Sequence, residues 1–359
     1  MTSHKTLMLL VTYKCNLRCS YCYEPKVQTS RISEMQAKRI LTKEIATLSD
    51  SCDELEIHFM GGEPLLEFPL LKNLAEWLWS NPFSTPPFIL FAPTNGTLLN
   101  EEMKKWFSLH RDKFFLGLSF DGDMNMQNAN RSSSFVSVDL DFFNSTWPEQ
   151  SVKMTISPQT VNHLCEGVIF LHKKGFKYIR ADLAMGKTVE WEREHLLLYK
   201  QELQQLSNFY LSNPQITPCS LLGLNILDAG KHRREPMKRC SCGENMTCVD
   251  LTGRHYACHL FSPITIPVSK ADESTRTIDF HNHDLFVSEN CRHCFLELVC
   301  DQCYGMNYIC NGDVATPSPS HCSANKICFV ANCRFQMNKA LQESDTNTYD
   351  KIMRILDKL

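Results

Sequence analysis

No long run of like charge occurs in this 359-residue chain, and 37 Lys and Arg against 40 Asp and Glu leave a formal net charge of −3. That balance lacks the basic footprint of a nucleic-acid binder, so no nucleic-acid partner is expected. Long apolar runs are missing as well. No stretch approaches the ~18 apolar residues that a membrane span needs. The first apolar run, Leu7 to Val11, is too short for a signal-peptide core, and no small-residue cleavage site follows it. Internal repeats and low-complexity tracts are absent, which argues against a solenoid or a disordered tail. The expectation is a cytoplasmic globular protein with no membrane partner.

Cysteine is what the chain has in excess. In a reducing compartment disulfides are disfavoured, and 18 cysteines point instead to metal ligation or redox work. Their placement is uneven: three lie within residues 15–22 and twelve within 240–333. Cys52, Cys165 and Cys219 stand apart and read as buried small hydrophobes.

The first half alternates short β-branched or aromatic runs with helical patterns, as βα units do. Strands are expected at Thr6–Thr12, Leu55–Met60, Phe88–Ala92, Phe114–Phe120, Val152–Ile156 and Tyr178–Leu183. Helices are expected between them, at Ser33–Leu48, Leu70–Trp79, Glu101–Leu109 and Val161–Lys174. Six units in this span suit an α/β fold with a partial (β/α)6, TIM-like barrel rather than the eight-unit form, which needs about 250 residues. The expected division is a barrel at 1–188, a helical bridge at 189–235, a small cysteine-rich domain at 236–335 and a C-terminal amphipathic helix at 336–359. Short elements punctuated by Cys, Gly, Asn and Pro fill 236–335, with so little apolar material that metal is expected to hold them together.

Tyr13-Lys-Cys15-Asn-Leu-Arg-Cys19-Ser-Tyr-Cys22-Tyr follows directly on the first strand. A [4Fe–4S] cluster normally takes four cysteines, so three leave one iron open to a substrate or cofactor. By spacing alone a zinc knuckle also fits. The CxxxCxxC arrangement, with an aromatic residue before the third cysteine, resembles the signature of the radical S-adenosylmethionine superfamily. In that family the open iron is chelated by S-adenosylmethionine. The reduced cluster passes one electron to the sulfonium, and a 5′-deoxyadenosyl radical then abstracts a substrate hydrogen.

Later loops extend the likeness. Phe59-Met-Gly61-Gly62-Glu63-Pro64 after the second strand looks like the family's GGEP motif, which receives the amino group of S-adenosylmethionine. Thr94-Asn95-Gly96-Thr97 follows the third strand, and Ser119-Phe-Asp121-Gly122 after the fourth resembles the SxDG segment. Arg131 lies where a basic residue often follows it. The resemblance implies cofactor binding by Gly61, Gly62, Glu63 and Asn95, with Ser119 and Arg131 toward the cofactor's carboxylate.

The distal cysteines read Cys240-Ser-Cys242, Cys248, Gly253-Arg-His-Tyr-Ala-Cys258-His259, Cys291-Arg-His-Cys294, Cys300-Asp-Gln-Cys303 and Cys322. CxxC pairs alone suit zinc ribbons equally well. A Gx4C element followed by Cx2Cx5C resembles the SPASM extension, which holds two auxiliary [4Fe–4S] clusters. That resemblance implies one cluster on Cys242, Cys248, Cys258 and Cys303, and another on Cys291, Cys294, Cys300 and Cys322. The last pair is Cx2C where the family usually has Cx3C, which puts Cys303 in question. Cys240, Cys310, Cys328 and Cys333 are left over as substitute ligands or structural residues.

SPASM enzymes act mostly on ribosomal peptides or on proteins, forming crosslinks, inverting stereocentres or oxidising a sulfatase residue to formylglycine. The resemblance therefore implies an anaerobic radical S-adenosylmethionine oxidoreductase, a maturase of a peptide or protein side chain. A flavodoxin- or ferredoxin-type reductant is expected. With Cys15 so near the start no fused leader-binding domain is expected, and a separate leader-recognition protein, or a docking edge on the barrel, is expected to do that work. A sulfatase-maturing enzyme is the alternative, although the Asp that serves as base in that branch is replaced by His259. His259 can act as a base or sit beside a cluster without chemistry. A non-enzymatic electron relay is the alternative of another class, against which stand the open-site cysteines and the GGEP loop. Asp182 and Arg180 close the sixth strand, one expected toward the barrel mouth and the other toward the outer helices. Asp182 is the second candidate acid or base, while Glu56, Asp121 and Glu297 are undecided.

Overall fold

A strand with almost every side chain buried organises the first part of the chain. The computed structural model describes residues 4–26, 28–48, 52–81, 83 and 86–358. In chain order the elements are β1 (His4–Thr12), α1 (Glu34–Ala46), β2 (Glu54–Gly61), α2 (Phe68–Ser80), β3 (Phe88–Thr94), α3 (Glu101–Leu109), β4 (Phe114–Leu118), α4 (Met124–Asn130), α5 (Leu140–Thr146), β5 (Val152–Ile156), α6 (Leu164–Lys173), β6 (Ile179–Leu183) and α7 (Arg193–Ser212). After these come β7 (Met246–Val249), β8 (His255–Tyr256), α8 (Val268–Thr277), α9 (Glu289–Arg292), α10 (Tyr304–Asn311), α11 (Pro319–Gln342) and α12 (Thr346–Leu356). Two compact units result. One comprises residues 1–119, 136–148 and 241–281; the other comprises 120–135, 149–240 and 282–359.

In the first unit, β1 is buried from Thr6 to Thr12. Burial on both faces is what a central parallel strand requires. The sheet order is β4-β3-β2-β1-β7-β8, parallel except for the β7–β8 pair. Helices begin where the sequence caps them: Ser33 accepts the Gln36 N–H ahead of α1, and Asn100 accepts the Met103 N–H ahead of α3. Aromatic side chains fill the space behind the sheet, with Phe68, Phe107 and Phe114 packed around Trp106.

The second unit holds the parallel pair β5–β6, with Val152 opposite Ile179 and Ile156 opposite Leu183. Helix α7 packs against α6 and α11, and its start is fixed by a capping box between Glu192 and His195. Ile226, Ala229, Leu296, Val299, Phe329, Cys333, Ile352 and Ile355 form a buried core.

The chain thus has the expected α/β fold, with all six early strands present and ends shifted by a few residues. Three expectations are corrected. Residues 319–342 are one 24-residue helix, α11, rather than short elements. Its apolar periodicity is weak because small and polar residues, among them Asn332 and Cys333, are buried along it. That helix also gives the cysteine-rich segment a hydrophobic core shared with 226–229 and α12, so metal is not its only support. Finally, Cys165 and Cys219 are buried but Cys52 is not; its thiol lies just ahead of β2 and donates to Glu54 O at 3.3 Å. The C-terminal helix is α12, capped by Asp345, and Leu359 lies outside the described residues. No helix among the described residues is long and apolar enough to cross a membrane.

Candidate active site and cluster ligands

The loop carrying Cys15, Cys19 and Cys22 leaves the C-terminal end of β1, and the end of β2 is bound directly to it. Gly62 N donates to Thr12 O at 3.2 Å and Glu63 N donates to Lys14 O at 2.8 Å. This approach admits no side chain on the glycines. A Cβ on Gly61 would lie 2.3 Å from Thr12 O, and one on Gly62 would lie 2.4 Å from Lys14 O. The two glycines are therefore the condition for the loops to meet.

Glu63 is almost fully buried, at 1% exposure. Its carboxylate accepts from Leu65 N at 3.0 Å, Thr94 Oγ1 at 2.9 Å and Asn95 N at 2.8 Å. One charged group so ties the ends of β2 and β3 together. Asn95 in turn donates through Nδ2 to Asn16 Oδ1 at 2.9 Å, and Asn16 Nδ2 donates to Thr97 Oγ1 at 2.8 Å. Ser119 N donates to Thr94 O at 2.9 Å, which brings the end of β4 to the same edge. Four successive strand ends of this unit are knitted around the three-cysteine loop.

The thiols themselves are half-buried. Burial pushes Cys15 up to about 11, with the Glu63 charge adding to the rise, and burial also raises Cys22. Thiols so placed are neutral at pH 7 unless a bound cation stabilises the thiolates. Three convergent sulfurs fit an iron–sulfur cluster by that test, because metal charge is what their surroundings lack.

From the distal segment of the same unit, Cys242, Cys248 and Cys258 are all buried. Cys248 on β7 lies opposite Tyr256 in the β7–β8 pair, and Cys242 bridges to Met246. Burial, then the charge of Cys258, raises the Cys248 thiol well above its ordinary range. His259 follows Cys258, and its Nε2 lies 3.1 Å from the hydroxyl of Tyr23, the residue after Cys22. Its backbone is held by Ser262 and Thr265, which both donate to His259 O.

In the second unit, Cys291, Cys294, Cys300 and Cys322 come together. Burial raises Cys300 to about 12, and the charges of Cys322, Cys294 and Cys291 add to it. Cys322 is raised in the same way by burial and by Cys291. Four sulfurs come together here, with Cys300 and Cys322 held as thiols by burial, and a metal cluster supplies the positive charge that would stabilise their thiolates. Cys303, the remaining expected ligand, belongs to this unit, caps the start of α10 and feels the charge of Cys240.

Residues 6–137 match a family model described as a 4Fe-4S single cluster domain. A cysteine-type anaerobic sulfatase-maturating enzyme of Clostridium perfringens is 22% identical over 340 residues, covering 82% of this chain and 90% of its own. A solved structure of anSMEcpe with bound AdoMet has a TM-score of 0.70 at 19% identity and covers 98% of each chain. Over most of its length the chain is similar in sequence to that Clostridium perfringens enzyme. Its fold is that of anSMEcpe. SuiB of Streptococcus suis, solved bound to the precursor peptide SuiA, has a TM-score of 0.57 at 14% identity, covering 90% of this chain and 76% of SuiB.

The other candidate residues are placed in polar networks. Arg131 is buried in the second unit with Nε 3.0 Å from Asp121 Oδ1. Asp121, fully buried, also accepts from Thr155 N and Asn130 Nδ2. Asp182 Oδ2 lies 2.7 Å from Lys153 Nζ and 3.3 Å from Arg180 Nε. Burial raises the Asp182 carboxyl, but Lys153 and Arg180 outweigh it and hold the group below the usual range. The expectation that Arg180 and Asp182 face opposite ways is corrected, because residues two apart share a strand face. Glu56 pairs with His58 and Glu297 with His232. Among the leftover cysteines, Cys328 donates to Leu221 O and Cys333 is core.

Sequence reasoning missed Asn16, Thr94 and Tyr23 as site residues. Asn16 had a signal, since it sits inside the cysteine loop. Tyr23 had none, because its partner His259 is 236 positions away.

Proposed function

We propose that this chain is a maturase that uses S-adenosylmethionine to abstract a hydrogen from a side chain of a ribosomal peptide or a protein. The observation that carries the reading is the junction of the three-cysteine loop with the Gly61-Gly62-Glu63 turn. When bound, a [4Fe–4S] cluster and S-adenosylmethionine supply one-electron cleavage and a 5′-deoxyadenosyl radical. Cys15, Cys19 and Cys22 are the residues that hold that cluster. Gly61 and Gly62 let backbone approach the cofactor, while Glu63 and Asn95 orient its amino end. Ser119 and Arg131 serve its carboxylate. Two further clusters belong to Cys242, Cys248, Cys258 and Cys303, and to Cys291, Cys294, Cys300 and Cys322.

His259 is the candidate proton acceptor, since its imidazole reaches the cluster loop through Tyr23. Asp182 is the weaker candidate because two cations already occupy it. In this reading residues 1–188 work as the barrel, 236–335 carry the auxiliary clusters, and 189–235 and 336–359 support them. The partners are the peptide or protein substrate, a leader-recognition protein and a flavodoxin- or ferredoxin-type reductant.

Near-full-length likeness to a sulfatase-maturating enzyme supports a second reading, maturation of a sulfatase. His259 is the point of tension, since that branch places Asp there. Reconstituted, reduced protein is offered S-adenosylmethionine and a sulfatase-derived Cys or Ser peptide, with products read by mass spectrometry. Formylglycine supports the sulfatase reading; deoxyadenosine with an unchanged peptide favours another maturation substrate. Clusters with no deoxyadenosine sink both and leave an electron relay. In His259→Gln, deoxyadenosine persists while peptide product falls at least tenfold, or His259 has no proton role.

A further inference from the structure

Two side-chain amides point their nitrogens at sulfurs of one cysteine set. Asn325 Nδ2 lies 3.1 Å from Cys300 Sγ, and Gln302 Nε2 lies 3.6 Å from Cys291 Sγ. Neither contact is incidental to its neighbours. Asn325 stands one helical turn beyond Cys322 on α11, and its amide also donates to Asp301 O at 3.2 Å. His321 Nε2 lies 2.9 Å from the same carbonyl and 3.1 Å from Asn325 Nδ2, which brackets that amide. Gln302 shows its preference differently. Its Oε1 is buried and finds no hydrogen-bond partner among the described residues, although its nitrogen is spent on sulfur.

We propose that Asn325 and Gln302 are positioning residues that raise the reduction potential of the auxiliary cluster on Cys291, Cys294, Cys300 and Cys322. The proposal rests on the reading of those four cysteines as cluster ligands. Reduction adds a negative charge that is shared with the cysteine sulfurs. Donors aimed at those sulfurs stabilise the reduced state more than the oxidised one. The cluster then holds an accepted electron more tightly than cysteine ligation alone allows. Backbone N–H groups do similar work elsewhere, as at Cys303, where Gly305 and Met306 assist. Here the donors are side chains, so substitution can remove them.

The test uses the full chain carrying Cys15, Cys19 and Cys22→Ala, reconstituted anaerobically, so that only the auxiliary clusters titrate. Potentiometric titration followed by electron paramagnetic resonance reads each midpoint. The signal in question is the one lost, with about four irons, in a further Cys291→Ala/Cys294→Ala variant. At the parent midpoint, Asn325→Leu and Gln302→Leu each lower the reduced-to-oxidised ratio about threefold. The double variant lowers it about tenfold, which is ~59 mV for one electron. Unchanged iron content with an unmoved midpoint in the double variant overturns the proposal. If Asn325→Leu does not load, Asn325→Asp places a charge at the same sulfur and shifts the midpoint further down; no shift, or an upward one, overturns it. Retention of the signal and iron in Cys291→Ala/Cys294→Ala instead overturns the ligand reading itself.

Discussion

Replacing Gly62 with Ala tests whether the meeting of two loops makes the cluster site. The added Cβ would lie 2.4 Å from Lys14 O and 2.9 Å from Cys15 Cβ, where ordinary contact begins at 3.4 Å. Lys14 must retreat by about 1 Å, the difference between 3.4 and 2.4. Its carbonyl also receives Glu63 N at 2.8 Å, and the same retreat breaks that bond. Overpacking and one lost hydrogen bond together cost about 2–3 kcal/mol. For a chain of this length that lowers the Tm of the metal-free protein by roughly 3–4 °C. Cys15 moves with Lys14, so reconstituted protein carries about 8 irons instead of about 12 and makes no deoxyadenosine. Gly223→Ala is the control, since its nearest neighbour lies 3.7 Å away, and it shifts stability by less than about 0.5 kcal/mol. A Gly62→Ala protein with parental Tm, iron content and deoxyadenosine yield would refute the steric argument.

Asn332, fully buried on α11, accepts from Leu224 N at 3.0 Å and donates to Leu221 O at 2.7 Å. Asn332→Ala strands both groups and lowers unfolding stability by about 2–4 kcal/mol; a urea midpoint unchanged at equal m-value contradicts this. Glu202 is raised above its ordinary value, chiefly by burial, even though it accepts from Cys165 N. The folded chain therefore keeps that proton at higher pH than the unfolded chain, and the stability it lends is lost as pH rises through the raised value. Glu202→Gln accordingly gains on the parent as pH rises above the ordinary carboxylate range in urea titrations, and equal pH slopes would count against it. Asp182→Asn costs less than about 1 kcal/mol because its partners are largely exposed, and deoxyadenosine formation is retained; a loss beyond tenfold assigns Asp182 to catalysis instead.

Much of this architecture was readable because it is local. Six β-branched or aromatic runs announce their strands within a few positions. The motifs after β1 to β4 fall in register because parallel strands present their C-terminal ends along one edge. What was not readable depends on distance. β7 is four residues long and contains Cys248, and its longest pairing is with β1, more than 200 positions earlier. Helix α11 conceals its periodicity because its buried face includes Asn332 and Cys333. The Tyr23–His259 contact and the Glu63 bonds to Thr94 and Asn95 likewise arise only once loops meet.

The central claim is that Cys15, Cys19 and Cys22 hold the cluster at which S-adenosylmethionine is cleaved. Its most direct test is deoxyadenosine formation by reduced, anaerobically reconstituted protein, beside the Cys15/Cys19/Cys22→Ala variant, with iron and sulfide measured in both. The account predicts deoxyadenosine and about 12 irons in the parent, and no deoxyadenosine with about 8 irons in the variant. Cleavage that survives in the variant, or zinc without sulfide in the parent, would contradict it.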